Sequence, residues 1–124
     1  MTVDVSRLGE VKVMARLVEL GWYPFSDLSG KCPVDIIAWK NGSTKLFQVK
    51  TTSTKSASGK YVVQIGAVRS NRTANVIHKF DNTSVDYLAV YVKPEDKIVF
   101  LLASSITTGR AYTLQNMDSS TLAC

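Results

Sequence analysis

Apolar side chains recur at the helical period near the start of the chain. Positions three and four apart form one face of an α-helix, and those with this spacing are Leu8, Val11, Met14, Ala15 and Val18. Asp4 or Ser6 can cap the start of this helix, and Gly21 fits the position that follows its end. The pattern therefore predicts a helix over residues 7–20, with Glu10 at the margin of its buried face.

Shorter apolar runs, each bounded by turn residues, predict the strands. They cover residues 34–39, 46–51, 61–65, 87–92 and 98–103. Asn41-Gly42 lies between the first two runs and is the strongest sequence signal for a two-residue hairpin turn. The run at 87–92 is apolar without a break, which indicates a strand that is covered on both faces.

A second helix is expected over residues 70–80, where Ala74, Ile77 and His78 fall on one face. The predicted order of elements is then α-β-β-β-α-β-β. This order favours an α/β or α+β fold, in which a mixed central β-sheet is flanked by helices.

The length of the chain, 124 residues, is that of one domain. We expect a single domain over residues 1–124, with a core at about 5–103 and a C-terminal extension at 104–124. No apolar run approaches the ~20 residues that span a bilayer. The first ten residues carry acids and lack the apolar stretch of a secretory signal, so we expect a cytoplasmic protein that does not enter a membrane.

Positive charge is concentrated in the middle of the chain. Residues 51–80 contain five Lys or Arg and no Asp or Glu, and the net charge of the whole chain is +5. The basic residues of this segment are Lys55, Lys60, Arg69, Arg72 and Lys79. Such a block is typical of a surface that binds a polyanion, and the alternative is an ordinary solvated face.

Three other classes of site lack the residues that they need. The only cysteines, Cys32 and Cys124, have no Cys or His neighbours at zinc-ligand spacing. The single histidine, His78, belongs to no recognisable serine-nucleophile motif, and there is no glycine-rich P-loop. The sequence therefore gives no support to a structural zinc site, a serine hydrolase or a P-loop nucleotidase.

Two tripeptides on the predicted hairpin carry chemistry. Pro33-Val34-Asp35 opens one strand, and Gln48-Val49-Lys50 lies on the next. Because residues two apart on a strand point to the same face, Gln48 and Lys50 project together, and the hairpin can bring Asp35 beside them. A carboxylate, an amide oxygen and an ammonium group at one sheet edge can hold a divalent metal and activate water. These are the groups of a metal-dependent phosphodiesterase.

With Glu10 on the preceding helix, these motifs make the chain resemble the PD-(D/E)XK nuclease superfamily. That superfamily places a glutamate on an N-terminal helix, followed by a hairpin that carries P-x-D and D/E-x-K. The resemblance covers about residues 5–103, implies a restriction-endonuclease-like core, and is greatest to small group I intron-encoded homing endonucleases and to Holliday-junction resolvases. One position departs from the pattern, because Gln48 replaces the second acid. Glutamine keeps an oxygen ligand without the negative charge, and some branches, including intron-type enzymes, carry it here.

The resemblance implies a role for each motif residue. The catalytic set would be Glu10, Asp35, Gln48 and Lys50. Asp35 would be the principal ligand of Mg²⁺, a cation that prefers oxygen ligands and for which Mn²⁺ can substitute. The side-chain oxygen of Gln48, the backbone carbonyl of Val49 and Glu10 would complete the metal site, Glu10 by binding or orienting the metal-bound water. Lys50 would stabilise the negative charge that develops at the phosphate.

The resemblance also implies double-stranded DNA as the substrate, with phosphate contacts from the five basic residues of segment 51–80. Cutting both strands takes two active sites related by symmetry, so a homodimer or tetramer is expected. Three functions stay open. They are a site-specific homing-type endonuclease, a resolvase that selects four-way junctions, and a non-catalytic nucleic-acid-binding module, which glutamine at position 48 allows.

Overall fold

The fold combines one α-helix with short strands. The computed structural model describes residues 4–70, 75–115 and 117, with the backbone alone described for 67–70 and 75–78. Its elements are the helix α1 (Val5–Glu19) and the strands β1 (Tyr23–Ser26), β2 (Ile36–Lys40), β3 (Ser43–Thr52), β4 (Thr54–Lys55), β5 (Tyr61–Gln64), β6 (Ala67–Ser70), β7 (Asn75–His78), β8 (Tyr87–Val92), β9 (Lys97–Leu102) and β10 (Ala111–Thr113). Within these residues no helix is both long enough and apolar enough to cross a membrane.

The main sheet has five strands in the order β1-β2-β3-β8-β9. Strands β3 and β8 run parallel, and the other neighbours run antiparallel. The hairpin predicted between β2 and β3 is confirmed, because Asn41 and Gly42 both have positive φ angles, 50° and 81°, as a type I′ turn requires. The mixed α+β sheet expected from the sequence is therefore present.

Each face of the main sheet is covered by a different element. Helix α1 packs Val13 and Leu17 against one face, in a cluster with Phe47 and Phe100. The other face is covered by a small sheet, β10-β5-β4, and its cluster contains Val63, Ile65, Leu88, Val90, Ile106 and Leu114. Strand β8 is buried at every position because it lies between the two clusters, which confirms its prediction. Residues beyond 103 thus take part in the core through β10, Ile106 and Leu114.

The second helix predicted over 70–80 is wrong at the residues that the structure describes. Asn75–His78 form β7, which pairs antiparallel with β6, while residues 71–74 lie outside the described part of the chain. The β-branched residues Val76 and Ile77 favour a strand, and a segment this short fits both periods. In the described residues the main sheet is consequently flanked by a helix on one face and by strands on the other.

The helix α1 is present, but its buried face differs from the prediction. The buried residues are Gly9, Val13 and Leu17, whereas Val11 and Val18 are 51% and 59% exposed. Gly9 allows a close approach, since a Cβ added there would collide with the side chain of Thr51 on β3. Gly9 thus determines which face of the helix packs against the sheet. The spacing of the apolar residues alone does not reveal this face.

Candidate active site

Asp35 lies immediately before β2, where the hairpin ladder ends. The ladder between β2 and β3 ends at the pair Ile36–Phe47, where β2 begins, and the Asp35 N–H donates to the Phe47 carbonyl at 2.9 Å. The Asp35 carboxylate accepts a 2.8 Å hydrogen bond from the backbone N–H of Val49. The Val49 N–H therefore links the second motif directly to the carboxylate of the first.

Gln48 and Lys50 alternate along β3 with the buried residues Phe47 and Val49. Beyond Phe47 this edge of β3 has no partner in β2. The N–H and the carbonyl of a strand residue point to the same edge, and the Val49 N–H points to Asp35. The Val49 carbonyl consequently lies on the side of Asp35 as well, at an edge where β2 does not pair with it.

Glu10 approaches the hairpin from α1. Its side chain is 28% exposed and forms a 3.1 Å ion pair with Arg7. The adjacent residue, Gly9, packs against Thr51, which follows Lys50 on β3. The close approach of helix and strand therefore carries Glu10 to the region of the hairpin motifs.

The four residues expected to be catalytic line one cleft. The cavity that Glu10, Asp35, Gln48 and Lys50 share has a volume of about 940 Å³. Its other walls come from residues 30–33, from Ile65 after β5, and from residues that follow β7. The hairpin spacing thus agrees with the observed positions of these side chains. The chemical roles of the four residues stay predictions.

This geometry agrees with a comparison of the sequence with known families. A family model described as PD-(D/E)XK endonuclease matches residues 2–120. The chain belongs to the PD-(D/E)XK endonuclease family. A similar solved structure is that of I-Ssp6803I, a bacterial homing endonuclease, with a TM-score of 0.80 and 20% sequence identity. The superposition covers 97% of this chain and 82% of that one, which shows a shared fold. A search of curated proteins gives no match.

Of the predicted DNA-contacting residues, the structure describes the side chains of three, and one of these three lines the cleft. Lys79 lines the cleft. By contrast, Lys55 and Lys60 belong to the region of the small sheet, where the Lys55 ammonium lies 5.0 Å from the centre of the Tyr61 ring and Lys60 donates to Gln115 at 2.7 Å. The side chain of Arg69 and the whole of Arg72 lie outside the described residues.

Asp35 and Glu10 bring two carboxylates to the cleft, beside the ammonium group of Lys50. Partial burial raises the pKa of Asp35, and the nearby Glu10 carboxylate raises that pKa further, against the lowering effects of the Val49 N–H and of Lys50. Two carboxylates in a partly buried site repel one another, and a cation between them relieves this repulsion. The described residues contain no group of three or more His, Cys, Asp or Glu suited to a metal. A cation here would therefore also need the oxygens of Gln48 and Val49.

One wall of the cleft rests on Asp27, a residue outside the two hairpin motifs. Its carboxylate accepts hydrogen bonds from Ser29 N–H (3.1 Å), Ser29 Oγ (2.7 Å), Lys31 N–H (3.0 Å) and Cys32 N–H (2.9 Å). These bonds lower the pKa of Asp27 to about 2, and the bond from Cys32 contributes most. The loop that they form presents Lys31 to the cleft. An Asp two residues before a Ser is a sequence signal for such a turn.

Proposed function

We propose that this chain is a divalent-metal-dependent endonuclease that hydrolyses phosphodiester bonds in double-stranded DNA. The observation that carries the proposal is the convergence of Glu10, Asp35, Gln48 and Lys50 in one cleft. Membership of an endonuclease family supports the reaction class. The likeness to a homing endonuclease supports the site-specific homing type over the junction resolvase.

The residues of the cleft suit Mg²⁺, with Mn²⁺ as a substitute. Asp35, Glu10 and the side-chain oxygen of Gln48 are hard oxygen donors, and the Val49 carbonyl lies on the same side as Asp35. Burial, with a smaller contribution from Glu10, raises the pKa of Asp35, and a bound cation would favour the ionised carboxylate. When bound, a divalent cation supplies positive charge to the phosphate and lowers the pKa of water.

The protein side chains then have separate tasks. Asp35 and Gln48 would hold the cation, and the Val49 N–H keeps the Asp35 carboxylate in its orientation. Glu10 orients the attacking water and can accept its proton. Lys50 places an ammonium group on the same face as Gln48, where it stabilises the negative charge that grows on the phosphate oxygens.

A duplex substrate favours a symmetric assembly, since each chain supplies one cleft and a double-strand break takes two. The proposed unit is therefore a homodimer or tetramer. Strands β1 and β2, at one edge of the main sheet, offer exposed apolar surface for such contact, because the cross-strand partners Tyr23–Trp39 and Phe25–Ile37 are all more than 40% exposed. A cytoplasmic location gives such an enzyme access to DNA.

The test compares cleavage of supercoiled plasmid and of a synthetic four-way junction, in Mg²⁺ and in EDTA. Lys50→Ala should reduce the cleavage rate by about 10²- to 10³-fold, the usual cost of losing one group that stabilises transition-state charge. Lys45→Ala is the matched control, because Lys45 is five positions away on β3 and therefore points to the opposite face. It should cut within a few-fold of the parent rate.

Each result selects among the three functions. Metal-dependent cutting of plasmid that is lost in Lys50→Ala supports the endonuclease, and a preference for the junction would instead indicate a resolvase. Binding of both DNAs without cutting in Mg²⁺ or Mn²⁺, across plasmids that together sample many sequences, would identify a non-catalytic binding module. A mass near 13.6 kDa in solution at micromolar protein would contradict the oligomer.

A further inference from the structure

The strands β6 and β7 form a two-stranded ribbon that is separate from both sheets. Ala67–Ser70 pair with Asn75–His78 in an antiparallel ladder of four residue pairs. Among the described residues, no other strand pairs with either of them. The ribbon therefore adds nothing to the two sheets that build the core.

The residues just before and just after the ribbon are both fixed to the core. Ile65, just before it, is 2% exposed, and Phe80, just after it, packs against the second core cluster. The N–H groups of Ile65 and Gly66 donate to the Arg110 carbonyl at 2.9 and 3.2 Å, and the Phe80 N–H donates to the Gly109 carbonyl at 2.8 Å. The base of the ribbon is thus held by one segment, residues 109–110.

The base of the ribbon also borders the candidate active site. Ile65, Lys79 and Phe80 all line the cleft that contains Asp35 and Lys50. A duplex whose reacting phosphate lies in the cleft would therefore meet the base of the ribbon. Lys79 is exposed at this junction and packs closely on Gly109, where an added Cβ would lie 3.0 Å from the Lys79 side chain.

Charge and size both fit a nucleic-acid groove. Residues 65–80 contain Arg69, Arg72 and Lys79 and no Asp or Glu. Four residues in a strand extend about 13 Å at ~3.3 Å per residue. The major groove of B-DNA is ~8.5 Å deep and admits a two-stranded β-ribbon, so the ribbon is long enough to reach the base edges.

We propose that the β6–β7 ribbon enters the major groove of the substrate DNA beside the cleaved phosphate and carries part of the sequence recognition. This inference rests on the proposed endonuclease function and adds a separate element to it. The cleft would then perform the hydrolysis, while the ribbon would select where it happens. Lys79, at the base, would contact the phosphate backbone and contribute affinity without sequence preference.

The main experiment shortens the ribbon and leaves its base intact. Residues 69–76 are replaced by Asn-Gly, the turn that the chain already uses at 41–42, so that the two ladder pairs nearest the core remain. The parent and the variant each cleave a pool of random duplexes in Mg²⁺, and the cut products are sequenced. The variant should still nick plasmid, but its discrimination against changed base pairs should fall by about 10- to 100-fold over part of the site.

A second variant keeps the ribbon at full length, in case the shortened chain does not fold. Arg69→Gln with Lys79→Gln should reduce the log–log salt slope of DNA binding by about two. Lys45→Gln with Lys97→Gln removes the same charge outside the cleft and should leave the slope unchanged. Protection of guanine N7 from dimethyl sulfate, measured in Ca²⁺ on a selected duplex, reports occupancy of the major groove directly, and the shortened variant should lose it.

The outcomes separate this proposal from the proposed function. If the parent protein cuts no DNA, the endonuclease function itself fails. If the parent cuts selectively and the shortened variant keeps the same selected sequence and the same guanine protection, the ribbon proposal alone is overturned. A shortened variant with unchanged selection but a smaller mass in solution would show that the ribbon joins copies of this chain, which also overturns it.

Discussion

Asp35, Gln48 and Lys50 reach the cleft from the β2–β3 hairpin, and we call this the sheet side. Glu10 reaches it from α1 and Lys31 from the loop at 27–32, and we call this the outer side. Backbone ladders and the Val49–Asp35 bond hold the sheet side. The outer side depends on the close contact between Gly9 and Thr51 and on the carboxylate of Asp27.

This difference in how the two sides are held predicts different roles for their residues. Strand pairing fixes the spacing of side chains along β2 and β3. The groups that must hold a cation at fixed positions therefore belong on these strands. The helix and the loop can shift by small amounts without breaking the ladder. We therefore expect changes on the sheet side to remove activity and changes on the outer side to weaken it in steps.

The largest effect is expected from the sheet side, with Asp35→Asn. Loss of the principal metal ligand removes several kcal/mol of transition-state stabilisation, equivalent to roughly a 10³-fold lower cleavage rate. Asparagine keeps an oxygen that can accept the Val49 N–H, so the protein should stay folded. Cleavage rate, thermal midpoint and DNA affinity in Ca²⁺ are measured together, and only the rate should change greatly.

Asp35→Ala serves as the comparison for that variant. Alanine leaves the partly buried Val49 N–H without its side-chain partner, and the cost of about 1–3 kcal/mol for a fully buried donor is the upper bound, so this protein should be less stable than Asp35→Asn. Cleavage by Asp35→Asn within a few-fold of the parent would remove Asp35 from the catalytic set. A shared loss of DNA binding and thermal stability would instead indicate a folding defect.

The sheet side could be predicted from sequence for a definite reason. Asn41-Gly42 sets the turn, the turn sets the register, and the period of two then places Gln48 and Lys50 on one face. All of these signals lie within residues 41–50. Local steric rules therefore determine the outcome before any distant part of the chain is considered.

The outer side and the ribbon could not be predicted in the same way. The buried face of α1 follows from the contact between Gly9 and Thr51, two residues that are distant in the sequence. At 75–78 a short segment fits both a helix and a strand, and pairing with β6 decides between them. The Asp27 loop did carry a local signal, but its place beside the cleft depends on the hairpin that follows it.

A smaller effect, on the outer side, is expected from Gly9→Ala. The added methyl group has no room beside Thr51 Oγ1, and overpacking of this kind costs about 1–3 kcal/mol. Displacement of α1 also moves Glu10, so the cleavage rate should fall, by up to about 100-fold for a shift near 1 Å. Chemical denaturation gives the free energy of unfolding, and plasmid cleavage gives the rate.

The double variant Gly9→Ala with Thr51→Ala tests the cause. Removal of the hydroxyl leaves the Thr51 and Tyr91 Cβ atoms at 3.5 and 3.7 Å from the new methyl group, which is ordinary contact. Stability and rate should both recover relative to Gly9→Ala, as a favourable coupling in a double-mutant cycle. Purely additive effects would mean that the helix position does not depend on this contact.

Gln48→Glu adds an acid to the sheet side, and we expect it to change the Mg²⁺ requirement by about tenfold. A further carboxylate strengthens a site for a hard cation, so the Mg²⁺ concentration for half-maximal cleavage should fall by roughly tenfold while the maximal rate changes little. Gln64→Glu, an exposed change of the same charge on β5, is the control. An unchanged Mg²⁺ requirement would place Gln48 outside the metal site.

The smallest effect concerns the loop on the outer side and its dependence on pH. Asp27 has a pKa of about 2 in the folded protein because it accepts the N–H groups of Cys32, Ser29 and Lys31, whereas an unfolded Asp titrates near 3.9. The folded state therefore binds fewer protons, and the stabilisation is present above about pH 4 and is lost as the pH falls toward 2. Asp27→Asn should lower the thermal midpoint by a few degrees above pH 5, and the difference should shrink between pH 4 and 2.

Ser29→Ala, which removes only the hydroxyl donor, should give a smaller difference over the same range. A constant difference at every pH would mean that the ionised carboxylate does not hold the loop.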